Sequence, residues 1–265
     1  DWRDAESRLT SKTKAIMPVH YSGGVGDLSE IYAFAKKYRL RVIEDAAHAF
    51  GSEHLGRRIG SFGDIACFSF DGIKNITSGE GGCIVTNDKE ILQKVKDARL
   101  LGVEKDSENR YKGKRTWNFD VTAQGWRYHM SDIMASIGRE QLKSFPKNAK
   151  IRQLLAIKYD ALLFNHPTIK PLQRDYDAVV PHIYVVRILK PLDRNFIQEK
   201  LLKKGIQTGI HYQPNHKLSF YHSNNALPLP VTDDVHSELL SLPLHPDITH
   251  EDLEFICKKL KNFVK

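Results

Sequence analysis

The 265 residues, 41% apolar and 27% charged, have the balance of a globular chain able to bury a core, which argues against intrinsic disorder. No run approaches the roughly 18 consecutive apolar residues of a membrane span, and the opening DWRDAESRLTSK lacks the apolar stretch of a secretory signal, so a cytoplasmic protein is expected, with no membrane partner. The net charge of +8 is scattered over helix faces and does not mark a nucleic-acid surface, while Cys67, Cys83 and Cys257 have neither the number nor the spacing of a disulfide framework or a metal site.

Ala15 to Tyr21 (AIMPVHY) reads as a strand, broken by Gly23, Gly24 and Gly26. Asp27 and Glu30 then offer a capping pair for a helix whose apolar face is Leu28, Ile31, Ala35 and Tyr38. The short run Leu40 to Ile43 follows and ends in Glu44 and Asp45. Strand, helix and strand within about thirty residues predict a right-handed βαβ unit with parallel strands. Ligands of such sheets bind at the carboxyl ends of strands, where Asp45 falls.

Two further strands, Ile65 to Phe70 and Cys83 to Thr86, are joined by the loop DGIKNITSGEGG. Asp88 caps the next predicted helix, with Ile91, Leu92, Val95 and Ala98 turned inward. Gly102 to Gln124 is polar, basic and without a steady period, and reads as a long loop of the kind that is more often functional than not. Ser131 caps a helix with Ile133, Met134 and Ile137 facing in, and Lys150 to Leu163 repeats the helical pattern. The intervening SFPKN marks a break, dividing a large domain, 1–145, from a smaller C-terminal α/β domain, 146–265. The latter is expected to hold a strand at His182 to Leu189, a helix at Arg194 to Lys204, a strand at Ile206 to Tyr212 and a final helix from Glu251 to Phe263 behind Thr249.

Taken singly, the chemistry-bearing residues say little, since a lone lysine in a glycine-rich loop is usually solvated. Their arrangement says more. Asp45 ends one strand, Ser69 lies near the end of another, Lys74 follows five residues on, and Gly79, Gly81 and Gly82 let the backbone pass close to a ligand. A pyridoxal-phosphate enzyme needs an amine to bond the cofactor aldehyde and an acid opposite the pyridine nitrogen. Asp45 and Lys74 supply those two types.

The segments EDAAHAFGS, GSFGDIACFSF and GIKNITSGEGG, followed in order by GWRYHMSDIMASIGREQL, GIQTGIHY and SLPLHPDIT, resemble the DegT/DnrJ/EryC1/StrS family of sugar aminotransferases. The resemblance implies an α/β chain of fold type I, with a mostly parallel sheet in the large domain and pyridoxal 5'-phosphate as cofactor. It further implies a homodimer that passes an amino group, from glutamate, to a keto carbon of a nucleotide-linked deoxysugar in polysaccharide biosynthesis. By position, Lys74 is the Schiff-base lysine, Asp45 the pyridine-nitrogen partner, His48 the neighbour of the ring hydroxyl and Ser69 a donor to the phosphate. Arg127 stands where the family often has Asn reaching the partner subunit's cofactor phosphate, and His211 near the sugar-binding face. Asp71 stands where relatives often have His or an aromatic residue. Lys74 separates the chain from the dehydratase branch, which has His there. Family chains begin with a further stretch that this sequence is expected to lack. Two alternatives stay open at this level: a transaminase on a related keto sugar or cyclitol, and a cofactor-free scaffold.

Overall fold

The computed structural model describes residues 1–104, 112–114, 119–221 and 227–264. The chain divides into two compact units, one of residues 1–21 and 25–145, the other of 22–24 and 146–265.

The first unit contains α1 (Trp2–Ser7), β1 (Ala15–Ile16), α2 (Leu28–Tyr38), β2 (Arg41–Asp45), a two-stranded hairpin of β3 (Glu53–His54) and β4 (Arg57–Arg58), β5 (Ile65–Ser69), β6 (Gly82–Thr86) and α3 (Lys89–Ala98). Four strands form one sheet in the order β1-β2-β5-β6, with β1, β2 and β5 parallel and β6 antiparallel to β5. Asp27 caps α2 as its spacing predicts, its carboxylate accepting from the Glu30 amide at 3.0 Å. Leu28, Ile31 and Ala35 of α2 pack with Val42, Ala46, Ala49 and Ile59 into this unit's core. Val42 and Glu44 therefore face the helix, and Asp45, by the alternation of a strand, faces the other side.

The first strand is shorter than expected. Pro18 has no N–H to give to a ladder, so β1 stops at Ile16 and the pairing resumes as one parallel bridge between Val19 and Asp45 before a 3-10 turn at Tyr21–Gly23. Asp88 caps α3, accepting from the amides of Glu90 and Ile91. The inward face expected for α3 is not buried: no residue of the helix is buried, and Leu92 is exposed. Amphipathic spacing sets which residues share a face but does not supply a surface to cover it. Within the stretch expected to be a loop, residues 105–111 and 115–118 lie outside the described residues, and the described part holds only an isolated bridge between Val103 and Val121.

The break expected at SFPKN is absent. One helix, α4 (Asp132–Leu163), runs through Pro146, and the division between the units falls inside it. A proline inside a helix forfeits one hydrogen bond and costs about 3 kcal/mol. Packing on both sides offsets that cost: Phe145 meets Phe50 edge-on at 4.9 Å, and Leu155, Ala156, Tyr159 and Leu163 enter the second core. Ser131 caps this helix, its hydroxyl accepting from the Met134 amide at 3.3 Å. Ile133 and Ile137, expected to face inward, are exposed at 75% and 43%, and of that triplet only Met134 is half-buried.

The second unit adds β7 (Ile169–Pro171), β8 (Tyr184–Ile188), α5 (Arg194–Leu202), α6 (Pro230–His236), β9 (Leu239–Leu242) and α7 (His250–Phe263). Its three strands pair antiparallel in the order β7-β8-β9. The strand expected at Ile206 to Tyr212 does not form. A single antiparallel bridge, Gly209 to Ser241, stands in its place, on the edge of β9 opposite β8. Thr249 and Asp252 close a reciprocal capping box at the start of α7, whose Leu253, Ile256, Cys257 and Leu260 fill the core.

Candidate active site

The site is built on the carboxyl ends of β2 and β5. Asp45 is the register partner of Cys67, and residues paired across a ladder share a face. Ser69, two residues beyond Cys67, shares it too, so carboxylate, thiol and hydroxyl line one side of the sheet, opposite the side packed by α2. The Cys67 thiol is pushed up from its ordinary range by burial and then by the nearby Asp45 carboxylate.

Asp45 is held on three sides. Its amide donates to the Pro18 carbonyl at 2.9 Å, its carbonyl accepts from the His20 amide at 3.0 Å, and its carboxylate accepts from the Ala47 amide at 3.1 Å. His48, three residues on, is buried with the ring of Tyr21 at 6.1 Å.

Beyond Ser69 the chain turns sharply, and the turn is made by side chains. The Ser69 hydroxyl accepts from the Asp71 amide at 3.3 Å, which leaves its own O–H to donate elsewhere, and the Asp71 carboxylate accepts from the Ile73 amide at 3.2 Å. The Lys74 amide then donates to the Asp71 carbonyl at 3.0 Å. Burial lowers the Lys74 ammonium below the ordinary lysine range, while Asp71 and Asp45 each pull it partly back. The turn made by Asp71 thus ties Lys74 to the carboxyl end of β5, the strand that pairs with the one Asp45 ends. Asp71 is the residue that reading of the motif left without a role. The DGIK sequence carried the signal, since Asp ahead of Gly is a turn former whose carboxylate bonds its own backbone.

The glycines after Lys74 answer first to the chain's own backbone. A Cβ on Gly82 would meet the Phe68 carbonyl oxygen at 2.5 Å, so the β5–β6 pairing itself requires glycine, and Gly79 takes a φ of 83°.

Arg127 is held by its backbone beside the segment after α3, through an antiparallel bridge to Leu100. Its side chain is exposed and, among the described residues, shares no hydrogen bond or ion pair with Asp45, Ser69 or Lys74. Trp126 and Tyr128 on either side stack at 6.1 Å. His211 belongs to the second unit, where its Nδ1 lies 2.7 Å from the Ser241 hydroxyl. A Cβ at Gly209 would meet the His211 ring at 2.8 Å, which accounts for that glycine.

The model of the DegT/DnrJ/EryC1/StrS aminotransferase family matches residues 1–261. The uncharacterized protein MJ1066 of Methanocaldococcus jannaschii is 37% identical, over 98% of this chain and 69% of its own length. Among solved structures, Helicobacter pylori PseC, an aminotransferase involved in the biosynthesis of pseudoaminic acid, superposes with a TM-score of 0.90 at 30% identity, covering 99% of this chain and 70% of PseC. The putative sugar aminotransferase Spr1654 from Streptococcus pneumoniae, in its PMP-form, gives a TM-score of 0.89 at 28% identity, over 100% of this chain and 72% of its own, and it has also been solved in a PLP-form.

Proposed function

The chain belongs to the DegT/DnrJ/EryC1/StrS aminotransferase family, which is dependent on pyridoxal phosphate and has fold type I, and from that premise we propose that it transfers an amino group from glutamate to a keto carbon of a nucleotide-linked deoxysugar. The observation that carries the reading is the placement of Asp45 and Ser69 on one face at the carboxyl ends of the parallel strands β2 and β5, with Lys74 in the turn that follows Ser69. PseC's role in making pseudoaminic acid supports a sugar as the acceptor.

The residues present fit the cofactor. A carboxylate and a hydroxyl with its proton to give stand on one face, and an amine of lowered basicity follows in the turn beyond it, matching a protonated ring nitrogen, a phosphate and an aldehyde. Asp45 would pair with the ring nitrogen, His48 would lie beside the ring hydroxyl, Ser69 would donate to the phosphate and Lys74 would hold the group covalently. Pyridoxal phosphate, when bound, supplies an electron-withdrawing ring that stabilises negative charge on the carbon carrying the amino group.

The chain's own part is electrostatic and acid–base. Asp45, fixed by its backbone and by the Ala47 amide, presents a negative charge that needs no reorganisation, the property that makes such a group effective in a site of low dielectric. Burial of Lys74 favours its neutral form, and a neutral Nζ can both attack a carbonyl carbon and carry a proton between neighbouring atoms. Asp71 shapes the turn and keeps the amine from drifting further down.

The functional unit we propose is a cytoplasmic homodimer in which Arg127 reaches the partner's site. The exposure of Trp126, Tyr128, Ile133 and Ile137 around it supports this reading, as does the prevalence of two-fold dimers. The test is an assay of the protein with pyridoxal phosphate, glutamate and a panel of keto-sugar nucleotides. The expected result is an amino-sugar nucleotide together with the keto acid of glutamate. Bound cofactor with no amino product from any nucleotide-linked sugar would overturn the acceptor, and amination of a free keto sugar or keto cyclitol added to the panel instead would move the reading to that class.

A further inference from the structure

The α2 side of β2 carries a polar cluster to which the catalytic reading assigns nothing. Glu44, next to Asp45 but on the opposite face, is 1% exposed and sits on the face that α2 packs. Its carboxylate accepts from the Tyr32 hydroxyl at 2.8 Å and lies 2.9 Å from Nε2 of His20, itself 1% exposed. Burial, and then the bond to Glu44, holds the Tyr32 phenol well above its ordinary range, so it remains a donor. Burying a carboxylate carries a desolvation penalty, and well-packed apolar side chains of the same volume often serve the fold as well or better. The arrangement therefore invites a role other than stability.

The backbone supplies one. Asp45 donates to Pro18 and accepts from His20. The side chains of His20 and Glu44 close a second link between the same two segments, so His20 grips β2 at two consecutive residues, once by its amide and once by its ring. Tyr32 anchors Glu44 in turn to α2. Residue 21, immediately after this grip, packs against His48.

We propose that His20, Glu44 and Tyr32 are positioning residues that set the direction of the Asp45 carboxylate from behind the sheet, and through Tyr21 the seat of His48. This rests on the reading of Asp45 as the partner of the cofactor ring. A loosened grip frees the peptide units on both sides of Asp45 while leaving its chemistry intact, so the signature is a change in the environment of the ring nitrogen rather than loss of the cofactor.

The test compares Glu44→Leu, which removes both bonds, with Glu44→Gln, which keeps an acceptor for Tyr32 and gives His20 a donor. Two readouts are used: amide hydrogen exchange on the cofactor-free chain, and the pH titration of the visible absorbance of the chain loaded with pyridoxal phosphate. Glu44→Leu is expected to speed exchange at the His20 and Asp45 amides by about tenfold or more while the β5–β6 amides keep their wild-type rates. In the loaded chain it shifts the titration of the band, and Glu44→Gln restores both readouts. Faster exchange spread evenly over the first unit with an unshifted titration would overturn the proposal in favour of a purely structural cluster, as would wild-type behaviour of Glu44→Leu. If the wild-type chain takes up no cofactor at Lys74, the functional reading fails, and the exchange comparison alone then decides the clamp on Asp45.

Discussion

Asp45 ends β2 in register with Cys67, two residues short of Ser69 at the end of β5. That register puts both on one face, because a slip by one residue would turn the carboxylate to the α2 side and leave the hydroxyl alone on the other. Lys74 follows through the Ser69–Asp71 turn at the end of the neighbouring strand.

Lys74→Ala is expected to abolish turnover, by more than about 10⁴-fold, since both covalent attachment and proton transfer depend on one amine. Lys74→Arg should do the same while leaving the thermal unfolding midpoint nearly unchanged. Borohydride reduction of the loaded protein followed by peptide mapping should find the cofactor on Lys74. A label on any other lysine would remove Lys74 from the role.

Asp45→Asn keeps the shape of the side chain and removes its charge. The expected loss is about 3 kcal/mol of transition-state stabilisation, on the order of that measured when one preorganised electrostatic partner is deleted, and it should appear in kcat more than in cofactor affinity. Wild-type turnover by Asp45→Asn would rule out the charge pair.

The lowered basicity of Lys74 has a measurable sign. Burial favours the neutral amine, so its labelling by an amine-selective reagent in the cofactor-free chain should reach half its limiting rate at a lower pH than that of a lysine in a short unstructured peptide. Asp45 pulls the amine back up, and Asp45→Asn should therefore move that midpoint further down. An upward shift would contradict the proximity of the two groups.

If Arg127 serves the partner's site, two inactive proteins should complement each other. Mixing Lys74→Ala with Arg127→Ala and allowing subunit exchange should restore about a quarter of the sites, since half the dimers are mixed and one site in each is intact. Exchange demonstrated by mass, with no recovered activity, would place Arg127 outside the neighbouring site.

In the second unit, Thr249→Ala opens the capping box of α7 and should lower stability by about 1 kcal/mol, read as the unfolding midpoint in urea. Asp252→Ala should lower the midpoint too, and the double variant by less than the sum, because each residue caps the other. Strict additivity would mean that the reciprocal bonds contribute nothing beyond their separate parts.

What the amino-acid sequence determined by itself was local or carried by motif. The caps at Asp27, Asp88, Ser131 and Thr249 were legible because a side chain satisfying amides two or three residues on needs nothing from elsewhere in the chain. The parallel pairing of the first strands followed from their order around α2, and the family followed from six motifs in sequence. Tertiary structure decided whatever depends on a distant partner. Pro146 stays inside a helix because packing on either side, Phe145 on Phe50 and Leu155 to Leu163 in the second core, holds it there, and Ile133 and Ile137 are exposed because no surface of the described chain covers them. Residues 206–212 make one bridge, to Ser241 on the outer edge of β9, rather than a strand. Glu44 between His20 and Tyr32 came from the same cause. A ladder register and a packed helix brought together groups whose spacing along the chain carries no trace of their meeting.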